Sequence, residues 1–229
     1  MTLDNAGMPT ADWKEHFARE EARYHDGEAR LDPSDPDSHQ RQLTRLGNAA
    51  NGAGLALLMD GRRAEAAAWF ERAAARYRES FPEAPAGSWG RPIGAVKALV
   101  VGGDWAEAED AARWALETGA PEAESPIGRY AAALALLVLG RDAEARVHAD
   151  AIRMHEGFPT EVGDALAFLA AQDVLGYQTA VESVLESFAR RDEYLEDLPV
   201  ADTVLVLQAL AERRGMAAEL DSPLLPRRA

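Results

Sequence analysis

The chain reads as an all-α array of antiparallel helix pairs. A ten-residue pattern is written three times, as LLMDGRRAEA (Leu57 to Ala66), LVVGGDWAEA (Leu99 to Ala108) and LLVLGRDAEA (Leu136 to Ala145). Its glycines Gly61, Gly103 and Gly140 are 42 and 37 residues apart, a period typical of helical repeats. No stretch alternates apolar and polar residues for more than four positions, so strands have no support. One helix pair cannot bury its apolar face alone, and stacked copies share a core.

Taken in order, ADWKEHFAREEARYHDGEARL is a polar helix with Thr10 as its N-cap and Trp13, Phe17 and Tyr24 on one face. It should pack as a cap on the array. LDPSDPDS carries two prolines and three aspartates and ends the helix in a turn or short linker. The first repeat helix is expected from about Ser38 to Asp60, its partner from Arg63 to about Glu79. A second pair follows over about Pro92–Val101 and Trp105–Thr118, and a third over about Ile127–Leu139 and Ala143–His155. Three further helical patterns cover 160–172, 178–191 and 199–214, and Gly215 stops the last. The proline-broken tail should dock through Leu224 and Leu225. These readings divide the chain into 1–37, a helix and linker; 38–157, three pairs; and 158–229, degenerate helices and tail.

The repeated decapeptide is a packing device. Its glycine sits where one helix ends and the backbone needs positive φ. Ala66, Ala108 and Ala145 give the following helix a small inner face, and Glu65, Glu107 and Glu144 complement its dipole. GNAANGAG, Gly47 to Gly54, reads as small residues for close helix packing, since it lacks the Gly-Lys-Ser/Thr of a phosphate loop.

Composition narrows the function. The absence of cysteine excludes disulfides, thiolate metal sites and cysteine nucleophiles. The net charge is −15, and 22 of the 24 basic residues are arginines. Such a chain repels nucleic-acid phosphates and suits a basic protein partner, unless the charge reflects a salty habitat. The longest apolar run, Tyr130 to Leu139, is half of a membrane span, and no signal core opens the chain, so the expectation is a cytoplasmic protein. Five histidines lack HExxH or one-turn spacing, so no metal site is expected. There is no nucleophile elbow or dinucleotide fingerprint, and no acid pair among 39 carboxylates stands out. We therefore expect no enzyme, no catalytic residues and no cofactor.

The repeats resemble tetratricopeptide repeats. With the turn glycine at that family's fifteenth position, Gly54, Ala66, Phe70 and Ala73 meet its glycine, alanine, aromatic and alanine positions. The second copy keeps Ala108 and Ala115, and the third keeps Ala145. Spacings above the family's 34 residues require longer loops. The resemblance covers about Ala50 to Ile152 and implies a right-handed α-solenoid with a concave binding face. Mapped onto this chain, that face takes Asn48 and Asn51 from the first copy, Lys97 from the second with Trp89 and Arg91 beside it, and Tyr130 from the third. Trp and Tyr offer rigid contact area and Arg a forked donor, so these six residues are the candidate partner site, although Trp89 and Tyr130 could equally fill the core. The family's grip on a carboxylate needs Lys or Arg on two helices with Asn between, and only part of that pattern is present.

VADTVLVLQALAERRG followed by LDSPLLPR also resembles the close of an all-helical family of immunity proteins from bacterial polymorphic toxin systems. The implied function is a non-catalytic module that binds a protein or peptide, as a scaffold or as a toxin-neutralising protein. A small-molecule or enzymatic site in the groove is the alternative.

Overall fold

The computed structural model describes residues 12–227 of the chain. Ten α-helices, and no strand, occur among the described residues: α1 (Trp13–Glu28), α2 (Pro36–Met59), α3 (Arg63–Ser80), α4 (Gly90–Gly102), α5 (Trp105–Glu117), α6 (Pro126–Val138), α7 (Asp142–Arg153), α8 (Thr160–Ala171), α9 (Val174–Ala189) and α10 (Asp202–Glu212). Neighbours in sequence pack on one another from α1 to α9. The first members of successive pairs, α2, α4, α6 and α8, also touch in that order, and α10 lies against α4, α8 and α9.

The three repeated corners share one hydrogen-bond pattern. In each, the glycine N–H donates three residues back, Gly61 to Leu58, Gly103 to Val100 and Gly140 to Leu137, at 3.1–3.2 Å. The next N–H reaches five residues back, from Arg62 to Leu57, Asp104 to Leu99 and Arg141 to Leu136. The glycines have φ of 81°, 81° and 70°. Such left-handed closure satisfies carbonyls that the helix end would leave bare. At the first and third corners the arginine after the glycine clamps the corner glutamate with two bonds, Arg62–Glu65 and Arg141–Glu144, each 2.7 and 2.6 Å. At the second, Asp104 caps the N–H of Glu107 at 3.1 Å instead.

A fourth corner joins α8 to α9. Gln172 N–H donates to Leu169 and Asp173 N–H to Phe168, and Gln172 stands at φ 55° where the other copies have glycine. Asp173 caps the N–H of Gly176, as Asp104 does for Glu107. The helix therefore begins at Val174, four residues before the pattern suggested. Val174 and Leu175 are exposed, which hid the start.

Two other boundaries differ from expectation. Thr10 lies outside the described residues, and the α1 cap is Asp12, whose carboxylate accepts the N–H groups of Lys14 and Glu15. The linker is shorter than its prolines suggest, because Asp35 caps α2 and Pro36 occupies its first turn, where no amide donor is needed.

Glycines set the closeness of the pairs. A Cβ on Gly54 would stand 2.7 Å from the Phe70 ring. Cβ atoms on Gly47 and Gly94 would each stand 2.7 Å from Tyr77, so this ring is slotted between α2 and α4. One buried cluster runs from Tyr24 to Leu224, and includes Ala66, Ala108 and Ala145. α1 closes the front end: Tyr24 and Phe17 meet Trp69 edge to face. In the C-terminal tail Leu224 is buried and its carbonyl accepts the N–H of Ala201.

Candidate polar site between α2 and α4

α2 turns Thr44, Asn48 and Asn51 to one side, at spacings of four and three residues, within a helix whose second half is otherwise alanine, glycine and leucine. α4 answers with Gly90, Arg91, Ile93, Gly94 and Lys97. Together with Tyr77, Leu195 and Asp202 these residues line an open depression of about 240 Å³. Four of the six expected residues, Asn48, Asn51, Arg91 and Lys97, thus converge.

Each has its own setting. Asn48 accepts the Tyr77 hydroxyl at 2.8 Å, so its amide N–H₂ remains available to the depression. Arg91 donates to Ser80 Oγ at 3.1 Å and to Gln40 Oε1, both on fully buried or nearly fully buried side chains. No carboxylate faces it, and burial lowers its pKa. Lys97 differs. Burial pulls its ammonium down, but the charge and hydrogen bond of Asp202, at 2.6 Å, offset this and leave its pKa raised. Thr203 Oγ1 accepts a second bond from Lys97 at 3.2 Å.

Trp89 and Tyr130 do not line the depression. Trp89 immediately precedes α4 and packs on Ala120, Ala131 and Ala132. A Cβ on Gly128 would come within 2.9 Å of its Nε1, so the indole covers the start of α6. Tyr130 meets Phe158 with ring centroids 5.5 Å apart and planes tilted by 46°, and the charges of Lys97 and Asp202 act on its hydroxyl. Burial raises the pKa of Tyr130, and does so again for Tyr77.

The segment 190–201, between α9 and α10, had no place in the sequence-based site. It supplies Leu195 to the rim, and α10 supplies Asp202. Its one 3₁₀ turn holds Glu196 and Asp197 at φ 55° and 54°, a left-handed conformation uncommon for residues with side chains. The run of acids in DEYLED was the available signal, and among 39 carboxylates it did not stand out.

Among the described residues no group of three or more His, Asp or Glu side chains could hold a metal, and no helix is long and apolar enough to cross a membrane. No protein-family model matches the chain, and no curated protein or solved structure is significantly similar to it.

Proposed function

We propose that the chain is a non-catalytic protein-binding module whose partner docks on the inner helix row, at the depression between α2 and α4. The observation that carries this reading is the convergence of Asn48, Asn51, Arg91 and Lys97 on one open surface. On that stripe Asn48 satisfies the buried Tyr77 hydroxyl and keeps its amide N–H₂ for a partner, and Asn51 lines the depression beside it. At about 240 Å³ the depression is smaller than the roughly 300–1,000 Å³ of small-molecule sites, which favours a protein surface over an enzymatic pocket.

The right-handed solenoid of tetratricopeptide type belongs to the same proposal. Four corners with one hydrogen-bond pattern, and the order α2, α4, α6, α8, support it. We place the module in the cytoplasm, as a scaffold or as an immunity protein that neutralises a toxin. A gene for a toxin beside this one would favour the second. The net charge of −15 suits approach by a basic protein, while the depression itself is locally cationic.

Affinity capture from the native host tests the site. Asn51→Arg and Thr44→Arg should abolish recovery of a partner that the wild type retains, and Glu182→Arg on the solvent side of α9 should not. Recovery indifferent to all three variants would overturn the proposal.

A further inference from the structure

Residues 190–201 form a twelve-residue connection that takes a detour. From the end of α9 it crosses to α1 and α2 before entering α10. Arg19 Nη2 donates to the Glu196 carbonyl at 2.5 Å, and Arg23 pairs with the Glu196 carboxylate. Leu198 is 2% exposed and lies on Gly52, where a Cβ would stand 3.0 Å from its Cδ1. Asp202 then pairs with Lys97. Arg19 and Arg23 also pair with the fully buried Glu20 carboxylate, so Glu196 completes a network of two arginines and two glutamates between α1 and the segment. Leu195 stays 60% exposed at the rim, and Glu196 and Asp197 keep left-handed backbones. Residues 192–198 are thus pinned by the two arginine contacts of Glu196, by the Tyr194 hydroxyl, which donates to the Phe188 carbonyl at 2.8 Å, and by Leu198, with left-handed backbone at the apex and only a 3₁₀ turn as regular structure.

Resting on the reading that partners dock at this depression, we infer that residues 192–198 are a displaceable strap. The strap walls the depression, and its own seat on Arg19, Arg23 and Gly52 is what the partner takes with an extended acidic segment carrying a leucine. Glycine at position 52 fits this role, because a close approach of a foreign leucine needs a surface without Cβ. The buried stretch from Val200 onward anchors the strap when its front is released.

Two measurements test this on the full-length chain. The first uses a fluorescein-labelled peptide of residues 190–203, RRDEYLEDLPVADT, added to protein whose strap is loosened by Glu196→Lys with Leu198→Ser. The loosened protein should bind it at least about tenfold more tightly than the wild type, whose own strap fills that seat. A peptide carrying the same two changes should not bind. The second follows hydrogen exchange in the wild type and does not depend on the variant's folding. Amides of 192–198 should open ahead of α9 and α10, and faster as salt rises from about 0.05 to about 0.5 M, because screening weakens the charge contacts.

Exchange of 192–198 only together with α9 and α10 would overturn the strap. So would a folded variant that binds the peptide no better than wild type. Neither measurement involves the biological partner. Their failure therefore leaves the site-dependent capture standing, whereas capture indifferent to Asn51→Arg and Thr44→Arg removes the docking site itself.

Discussion

Lys97 on α4 and Asp202 on α10 meet at 2.6 Å, with side chains 17% and 24% exposed, and this pair ties the last helix to the repeat array. Removing one partner leaves a charge in a partly buried setting with no counter-charge. Asp202→Asn should destabilise the fold by roughly 1–3 kcal/mol, and Lys97→Met by less, because methionine keeps the apolar stem and removes the charge that needs a partner. Denaturant midpoints for the two variants check this order. Equal losses would show that the pair contributes only through packing.

Alkali should loosen the same region. Lys97 has a pKa raised above its ordinary 10.5, so the stability it contributes is full below that value and falls as pH rises through its folded pKa. Tyr77, Tyr130 and Tyr177 have pKa values raised above 10.0, chiefly by burial. The folded state holds these protons while the unfolded state releases them, so stability again declines above pH 10.0. Tyrosinate absorbance from the three should appear together with unfolding measured by circular dichroism. Ionisation of all three well before loss of helix would contradict their burial.

On the acid side, His148 and His16 have pKa values lowered from 6.5, mainly by burial. Stability should therefore fall as pH drops below 6.5. His148 Nδ1 is buried without a hydrogen-bond partner. His148→Met removes both the unpaired nitrogen and one protonation, so it should reduce the acid slope and leave stability at pH 7.5 unchanged or higher by up to about 1 kcal/mol. Thermal melts from about pH 5 to 8 measure both effects.

The fourth corner offers a stabilising change. Gln172 adopts φ 55° where Gly61, Gly103 and Gly140 serve in the other copies. A left-handed conformation costs a residue with Cβ about 1 kcal/mol more than glycine, partly offset by the greater freedom of glycine in the unfolded chain. Gln172→Gly should stabilise by about 0.5–1 kcal/mol, whereas Gly140→Ala should destabilise by about 1 kcal/mol. Opposite shifts in denaturant midpoint are the expected result, and shifts of like sign would show that the two corners are not equivalent.

These corners also show how far the sequence could be read. Where glycine and Ala-Glu-Ala coincide, helix ends were legible to within about two residues, because the residue types that a left-handed closure demands are few. At Gln172 the geometry persists without its residue, since the following aspartate cap and the packing of Gly176 on Phe168 hold the turn. The polar stripe Asn48–Asn51 and the cations Arg91 and Lys97 could be found because helical spacing places them on one face. Trp89 could not be placed the same way. It stands before α4, where a loop sets its direction, and it turns toward α6. The strap was invisible because the arginine that holds its Glu196 carbonyl is 177 residues away in sequence.

The acidic charge yields the remaining prediction. If a basic partner is steered by the net charge of −15, its association rate should fall steeply with salt, because surface fields decay over about 8 Å at physiological ionic strength. Contacts in the partly apolar depression should hold the off-rate nearly constant. Adaptation to a salty habitat has a different signature: the folded chain gains stability as salt screens its self-repulsion. The strap adds a third term, since salt loosens the pair of its Glu196 with Arg23 and opens its seat. Stopped-flow association and thermal melts over one salt series separate the three. A falling association rate supports steering, a rising one supports strap release, and a flat rate with a rising melting point leaves the charge to habitat alone.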